Sequence, residues 1–159
     1  MRALSITELR TRLIRRAAEA GDIDGVLAKL KEYGYLDDKR FAETFAIARR
    51  DNQGFGKMRV MRDLQQRKVA KPVAEKAIAQ TFAGVDETAQ IEQFLQRKFR
   101  GKNLPEYLKE EKHLASAYRR LRYAGFSSGT SIRVLKRYSQ SADQLESLES
   151  DPADPEQEA

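Results

Sequence analysis

The sequence predicts an all-α protein built of tandem three-helix repeats that form an elongated, curved array. Three observations support this prediction. Apolar residues recur at helical spacing from Ser5 to Tyr138. Residues that typically cap or end helices interrupt this spacing at short intervals. A pattern of apolar residues also recurs with a period of about 50 residues, which is the size of a three-helix unit.

The internal repeat is carried by apolar triplets with successive separations of five and nine residues. The triplets are Leu13, Ala18 and Leu27; Leu64, Val69 and Ile78; and Leu121, Phe126 and Leu135. They predict a first repeat at residues 1–36, a second at 37–84 and a third at 85–138, followed by an acidic tail at 139–159. The first repeat is expected to be incomplete, because few residues precede Ser5 to supply its opening helix.

Two helices are predicted in the first repeat. The first begins at Ser5 or Thr7, whose hydroxyl can cap it, and ends at Gly21. The second is capped by one of the aspartates that follow Gly21. It ends at Gly34, since glycine takes the left-handed C-cap conformation without a Cβ penalty. The apolar residues expected on the inner faces are Leu9, Leu13, Val26, Leu27 and Leu30.

Three helices are predicted in the second repeat, at about residues 38–51, 57–68 and 72–82. Asp37 or Asp38 caps the first, where a carboxylate also meets the positive end of the helix dipole. Phe41 and Phe45 lie one helical turn apart and are expected in the core. A glycine-containing turn follows this helix, and Pro72 stands at a favourable first-turn position of the third.

The third repeat is expected to contain three further helices. Asp86 caps the first of them and Gly101 stops it. The second starts near Glu106 or Glu110, and one of the serines at 127 and 128 caps the last, which ends near Tyr138. The tail from about Ser141 has low hydrophobicity, like charges and two prolines, so it is predicted to be disordered.

Composition narrows the possible chemistry. The chain has no cysteine and a single histidine, so a cysteine-based metal site, a disulfide framework and a His-based nucleophilic site are not expected. The sequence around Gly54 and Lys57 lacks the full phosphate-loop pattern and reads as a helix-to-helix turn. No apolar stretch approaches the length of a membrane span and no signal peptide is evident. We therefore predict a cytoplasmic protein that is not an enzyme and uses no cofactor or metal.

The charge distribution predicts a negatively charged partner. The whole chain carries +6, and the seven acidic residues from Ser139 onward are accompanied by no lysine or arginine, so residues 1–138 carry +13. The predicted partner-binding residues are Arg40, Arg49, Arg50, Lys57, Arg59, Arg62, Arg67, Lys68, Arg119, Arg120, Arg122, Arg133, Lys136 and Arg137. The alternative is an ordinary solvated helix surface. Tyr107, Tyr118 and Tyr123 are open between packing and stacking on bases.

The segment Gly34–Ala42, GYLDDKRFA, resembles the signature of the RecX family of recombinase regulators. The segment Leu121–Phe126 resembles a later motif of the same family, which is built of tandem three-helix units. Within the signature, Gly34, Tyr35, Asp37, Asp38 and Phe41 are interpreted as structural residues, with the aspartates as caps. The basic residues match the family only as a property of the surface.

The resemblance implies a monomeric regulator of homologous recombination, DNA repair and the SOS response. Such a protein would bind the RecA filament on single-stranded DNA and modulate, as an inhibitor, its ATPase and strand exchange. Single- or double-stranded DNA is a further implied partner. The alternatives are a free-standing basic helical nucleic-acid-binding protein and a structural adaptor for another acidic protein. The acidic tail is expected to compete with the partner for the basic surface.

Overall fold

The computed structural model of the protein describes residues 2–16 and 19–150. Within these ranges it is helical without β-strands, which confirms the predicted all-α class. The elements are α1 (Ile6–Arg15), α2 (Ala20–Glu32), α3 (Asp38–Gln53), α4 (Lys57–Gln66), α5 (Lys71–Thr81), α6 (Glu87–Lys98), α7 (Leu104–Tyr107), α8 (Glu111–Tyr123), α9 (Ser128–Leu135) and a 3₁₀ helix (Gln140–Ser150). Ala18 of the first apolar triplet and residues 151–159 of the predicted tail lie outside the described ranges.

The chain forms two compact units. Unit 1 comprises the described residues up to Arg49 together with Val60–Ala83, and unit 2 comprises Arg50–Arg59 and the described residues from Gly84 onward. Helices α3 and α4 each contribute residues to both units. The repeat boundaries after residues 36, 84 and 138 describe a period of the sequence, and they stay a prediction.

The start of α1 follows its predicted capping chemistry. The Ser5 hydroxyl accepts a hydrogen bond from the Glu8 backbone N–H, while the Glu8 carboxylate accepts from the Ser5 backbone N–H. This reciprocal pair satisfies two backbone donors that have no partner inside the helix. The Ser5 hydroxyl also donates to the Arg67 carbonyl oxygen at 2.6 Å. The cap therefore also joins α1 to the chain that follows α4.

The boundary between α1 and α2 differs from the prediction. α1 ends at Arg15, and Gly21 lies inside α2, whose N-cap residue Glu19 makes no side-chain capping bond. Ile23 and Leu27 are buried on α2 and hold it in place, whereas Val26, predicted in the core, is 46% exposed. Burial of this narrow apolar face outweighs the cost of glycine in a helix, which is about 1 kcal/mol.

The two aspartates of the signature have separate partners. Asp37 Oδ1 accepts from the Arg40 backbone N–H at 3.1 Å and caps α3, as predicted. Asp38 Oδ1 instead accepts from the Ile6 backbone N–H at 2.9 Å, at the first turn of α1. A carboxylate at that position also meets the positive end of the α1 dipole. Asp38 is thus a structural residue, but for a helix that lies far from it in sequence.

The buried face of α3 is not the predicted one. Ala42 and Ala46 are fully buried, whereas Phe41 and Phe45 are only half-buried and stack on each other with their ring centroids 5.7 Å apart. The prediction of two core phenylalanines is therefore wrong. Alanine allows a close approach of neighbouring helices, so the tightly packed stripe falls on the small residues and the rings lie beside it.

In unit 2 the turn before α4 packs directly on the turn after α8. The Gly56 N–H donates to the Ala124 carbonyl oxygen at 2.8 Å, and the Met58 N–H donates to the Gly125 carbonyl oxygen at 3.2 Å. Gly125 has a φ of +90°, and a Cβ added there would lie 2.2 Å from the Arg59 backbone nitrogen. Glycine is required at this position both by its backbone conformation and by the close contact.

The start of α9 is held by a carboxylate from α6. Ser127 occupies the predicted N-cap position, but its hydroxyl donates to Glu87 Oε2 at 2.6 Å and its backbone N–H donates to Glu87 Oε1 at 2.9 Å. Burial by itself raises the pKa of Glu87, and the hydrogen bonds from Ser127 and Thr130, with the charge of Lys57, more than offset it, so this pKa lies below its ordinary value.

The first part of the acidic tail is ordered by two apolar residues. Gln140–Ser150 forms the 3₁₀ helix, and it buries Ala142 and Leu145 in the core of unit 2. Disorder was expected from Ser141 because the average composition of the tail is polar and acidic. The average composition of the tail does not reveal Ala142 and Leu145, which lie one turn of a 3₁₀ helix apart and therefore share a face.

Candidate partner-binding surface

The fourteen predicted basic residues have unequal positions in the structure. Some are half-buried, and most of these contact other groups of the protein, whereas the others are exposed. The exposed ones are Arg40, Lys57, Arg62, Lys68, Arg133, Lys136 and Arg137. The half-buried ones are Arg49, Arg50, Arg59, Arg67, Arg119, Arg120 and Arg122. This division is the first criterion for separating partner contacts from structural roles.

Arg67 is a structural residue of unit 1. Its Nε donates to Glu8 Oε1 at 2.6 Å, and its second guanidinium nitrogen donates to Glu8 Oε2 at 3.1 Å. The guanidinium carbon also lies 4.9 Å from the centroid of the Phe41 ring and 5.4 Å from that of Phe45. Both charged side chains of the ion pair are 15% exposed. Arg67 is thus largely committed to these contacts.

The surroundings of Glu8 lower its pKa. Burial by itself raises the pKa of Glu8, and the hydrogen bonds from Arg67 and from the Ser5 backbone, with the charges of Arg67 and Arg2, more than offset it. The pKa of Glu8 therefore lies below its ordinary value of 4.5. Glu8 is ionised at neutral pH and holds Arg67 over the phenylalanines.

Two arginines of α3 also make ion pairs. Arg49 Nε lies 3.5 Å from the buried Asp63 Oδ2, and its guanidinium lies over the Phe45 ring at 4.9 Å. Arg50 Nε donates to Asp51 Oδ1 at 2.7 Å. This hydrogen bond and the Arg50 charge lower the pKa of Asp51.

The family signature lines an open cleft in unit 1, which we call the signature cleft. The cleft has a volume of about 580 Å³. Its lining residues are Arg2, Ala3, Leu4, Gly34, Tyr35, Leu36, Asp37, Arg40, Phe41, Thr44, Phe45, Ala48 and Arg67. Tyr35 is 78% exposed and the neighbouring Tyr33 is 69% exposed. A cleft lined by apolar side chains together with an exposed tyrosine and an exposed arginine has the composition of a protein-binding surface.

Arg2 and Leu4 also line this cleft, although neither belongs to a recognisable motif. Both precede α1 and lie about thirty residues before the signature. No local pattern distinguishes them from other residues near the N-terminus. The hydrogen bonds of Ser5 to the Arg67 carbonyl and of Ile6 to Asp38 bring this segment beside the signature.

In unit 2, Arg59 and Arg122 stabilise the turn after α8. The guanidinium carbon of Arg59 lies 4.3 Å from the centroid of the Tyr123 ring and 4.8 Å from that of Phe55. Arg122 donates to the Phe126 carbonyl oxygen at 2.6 Å. These contacts explain the half-buried state of both arginines without a partner molecule.

The exposed cations near the end of α9 make ion pairs at the surface. Arg137 pairs with Glu92 of α6, and Lys136 pairs with Asp143 of the 3₁₀ helix. Arg133 is exposed on α9 itself. Surface ion pairs contribute little stability and exchange easily with other anions, so these residues remain accessible to an acidic partner.

The remaining aromatic residues and the single histidine are used mainly in packing. Tyr118 is buried, and its hydroxyl lies 2.8 Å from the Ser128 hydroxyl. His113 stacks on Tyr107 with ring centroids 3.9 Å apart, and its Nδ1 lies 3.1 Å from the Tyr107 carbonyl oxygen. Tyr123 is half-buried against Arg59. Among the described residues, no group of histidine or acidic side chains is arranged to hold a metal ion.

No helix within the described ranges is both long and apolar enough to span a membrane. No solved structure matches the chain.

Comparison with known proteins confirms the resemblance carried by the signature. The family model described as RecX, second three-helix domain, matches residues 37–78. The Regulatory protein RecX of Ectopseudomonas mendocina (strain ymp) is 34% identical over 129 residues, which cover 81% of this chain and 81% of that relative. The Regulatory protein RecX of Vibrio parahaemolyticus is 31% identical over 120 residues, which cover 76% of this chain and 73% of that relative. With this identity over most of its length, the chain belongs to the RecX family of regulatory proteins.

Proposed function

We propose that this protein regulates homologous recombination by binding the RecA filament on single-stranded DNA and inhibiting its ATP hydrolysis and strand exchange. The observation that carries the proposal is the position of the family signature. Leu36 and Ala42 of the segment Gly34–Ala42 are buried, whereas Tyr35 and Arg40 are exposed and Phe41 is half-buried along an open cleft. A signature that lines an accessible cleft is suited to recognising a partner.

The proposed docking site on the protein partner is the signature cleft. Phe41 and Phe45 provide apolar contact area, and the exposed Tyr35 combines an apolar ring with a hydroxyl. Arg40 adds a positive charge that an acidic group of the partner can meet. Arg67 acts indirectly, because its ion pair with Glu8 keeps the guanidinium against the two phenylalanine rings.

The exposed cations supply additional electrostatic contacts. Arg40, Arg62 and Lys68 belong to unit 1, whereas Lys57, Arg133, Lys136 and Arg137 belong to unit 2. Many modest contacts to a repetitive, negatively charged filament add up to a useful affinity. Exposed charges are screened by salt, so binding to the filament is expected to weaken as the salt concentration rises.

Inhibition follows from differential binding and requires no chemistry by the regulator. A protein that binds an inactive state of the filament more tightly than the active state shifts the population toward the inactive state. A protein that bound both states equally would leave ATP hydrolysis unchanged, however tight the binding. The proposed regulator therefore needs no catalytic residue or cofactor. We further propose that it acts in the cytoplasm and as a monomer.

The proposal is tested by titrating this protein into a reaction that contains RecA, single-stranded DNA and ATP. We expect DNA-dependent ATP hydrolysis and strand exchange to fall as the protein is added, and less strongly at high salt. Unchanged hydrolysis and strand exchange at a large molar excess would exclude the regulator. Tight DNA binding without any interaction with the RecA filament would select the free-standing nucleic-acid-binding protein instead.

A further inference from the structure

Unit 2 contains a pocket that combines positive charge with aromatic side chains. Its volume is about 280 Å³, near the lower end for small-molecule sites. Its lining residues are Gln53, Phe55, Phe94, Arg97, Lys98, Arg120, Tyr123 and Ala124. The lining therefore contains three cations, three aromatic rings and no carboxylate. We call it the α6–α8 pocket, after the helices that carry its three cations.

Arg120 provides the most informative atom of this pocket. Its Nε is buried and has no hydrogen-bond partner among the residues that the structure describes. Buried donors nearly always have partners, and a charged donor loses more than a neutral one when its partner is missing. Nε has almost no accessible surface, so a ligand oxygen can supply the missing acceptor only if the Arg120 side chain shifts as the ligand enters the pocket that this residue lines.

Arg97 and Lys98 place two more cations at the same pocket. Arg97 donates to the Asn52 carbonyl oxygen at 3.3 Å, which holds its guanidinium near the turn before α4. Lys98 is exposed at the last residue of α6. Cations in the last turn of a helix are often explained by the helix dipole alone. That explanation accounts for Arg97 and Lys98, but not for the buried Nε of Arg120.

The aromatic side chains narrow the class of ligand. Phe55 and Tyr123 line the pocket, and the guanidinium of Arg59 lies against both rings. Sites that bind single-stranded nucleic acid combine cations for the phosphates with aromatic rings on which bases stack. An acidic peptide would satisfy the cations but would make no comparable use of the rings.

We propose that the α6–α8 pocket binds one nucleotide of single-stranded nucleic acid. Arg120, Arg97 and Lys98 hold the phosphate, and the base stacks on Phe55 or Tyr123. This inference deepens the proposed function, because it assigns the direct contact between the regulator and the DNA strand. It also assigns roles to Arg97 and Lys98, which the sequence did not single out.

The affinity test uses the full chain and a fluorescein-labelled oligodeoxythymidylate of about 12 nucleotides, measured by anisotropy without RecA. Lys98→Gln should weaken binding about fivefold. The matched control, Arg100→Gln, removes the same charge from an exposed residue two positions away that does not line the pocket. It should weaken binding less than about twofold. Equal losses in the two variants would overturn the proposal, since only general electrostatics would then be measured.

A second variant tests the geometry of Arg120. Arg120→Lys keeps the positive charge but removes Nε and the planar guanidinium. We expect it to weaken oligonucleotide binding about fivefold, with the helical circular dichroism and the unfolding transition retained. Binding as tight as that of the wild type would contradict the role of Nε. Lys98 is exposed, so the Lys98→Gln test remains available if Arg120→Lys does not fold.

The contribution of the base can be measured separately. The chain contains no tryptophan, so Phe55→Trp introduces a single tryptophan at the pocket, whose fluorescence can be excited apart from that of the tyrosines. Oligodeoxythymidylate should quench its fluorescence by stacking, and an abasic oligomer of the same length should quench it less and bind less tightly. Equal binding of both oligomers, or equally effective displacement by poly-glutamate, would show an unspecific anion site and overturn the proposal.

These measurements separate the pocket from the regulatory function. If oligonucleotide binding does not depend on Lys98 and Arg120 while RecA hydrolysis is still inhibited, only the pocket assignment fails. If the pocket binds oligonucleotides as expected and RecA hydrolysis is unaffected at a large excess of protein, the proposed function fails and the pocket assignment stands.

Discussion

The Nε of Arg67 donates a hydrogen bond to the Glu8 carboxylate at 2.6 Å, across 59 residues of sequence. The same carboxylate completes the capping box of α1, and the same guanidinium covers the half-buried rings of Phe41 and Phe45. One ion pair therefore couples the start of α1 to two aromatic rings that line the signature cleft. Its loss is expected to affect both the stability of unit 1 and the shape of the cleft.

The first prediction concerns Glu8→Gln. Glutamine can still serve in a capping box, so this change removes mainly the charge that faces Arg67. We expect the free energy of unfolding at pH 7 to fall by about 2 kcal/mol, because a largely buried guanidinium loses its anionic partner. Urea denaturation followed by circular dichroism measures the change. The matched control is Asp24→Asn, which breaks the exposed Arg10–Asp24 pair and should cost less than about 0.5 kcal/mol.

The second prediction is the pH dependence of the same pair. Since the pKa of Glu8 is lower in the folded protein than its ordinary value of 4.5, its contribution to stability is fully present above that value. It is lost as the pH falls through the folded-state pKa. The difference in unfolding free energy between wild type and Glu8→Gln should therefore shrink below pH 4.5. A difference that stayed constant on acidification would contradict the assignment.

The third prediction concerns Gly125→Ala. The new Cβ would lie 2.2 Å from the Arg59 nitrogen at a φ of +90°, so the two turns must separate and their hydrogen bonds must lengthen. We expect a loss of at least about 3 kcal/mol in unfolding free energy. Gly101→Ala is the control, because its φ is +84° but nothing lies within 4 Å of the added Cβ. It should cost about 1 kcal/mol, and equal losses would show that only backbone conformation matters.

The fourth prediction concerns the 3₁₀ helix of the acidic segment. Leu145→Ala should lower the free energy of unfolding by about 2–3 kcal/mol, because Leu145 is buried in the core of unit 2.

Truncation after Tyr138 would remove the same contact, so it cannot isolate the electrostatic effect of the acidic tail. Truncation after Ser147 retains Ala142 and Leu145. It should raise the affinity for an acidic partner at low salt if the tail competes for the basic surface.

The fifth prediction concerns partner binding at the signature cleft. Arg40→Gln should weaken inhibition of RecA ATP hydrolysis several-fold without changing the unfolding free energy, because Arg40 is exposed at the cleft. Lys39→Gln removes the same charge from the adjacent exposed residue, which does not line the cleft. If both variants inhibited like the wild type, the cleft would not be the docking site.

Much of the local structure was predictable because it depends on neighbouring residues. Ser5, Asp37 and Asp86 cap helices as their positions indicated. Gly34 takes the left-handed conformation, with a φ of +74°. In each case the interacting groups lie within a few residues of one another, so chain geometry alone brings them together. The predicted end of α1 at Gly21 was wrong, because burial of Ile23 and Leu27 keeps Gly21 inside α2.

The candidate site was less predictable, because a list of cations does not show which of them the protein itself uses. Arg59 and Arg67 have the same local character as Arg62, yet the first two are half-buried against aromatic rings and Arg62 is exposed. Arg59 is held by Tyr123, and Arg67 is held by Glu8 and two phenylalanine rings, all of which come from distant parts of the chain. Helical periodicity also could not decide between the phenylalanine and alanine faces of α3, since both are apolar.

The sequence by itself determined the all-α class, most helix starts, the strong positive charge and, through Gly34–Ala42, membership of the RecX family. These properties follow from local spacing and composition. Only the tertiary structure decided that Arg67 is held by Glu8, that the signature lines a cleft, and that Arg120 presents a buried donor at a pocket. Those features arise from contacts between residues far apart in sequence, and such contacts are selected by the packing of the whole unit.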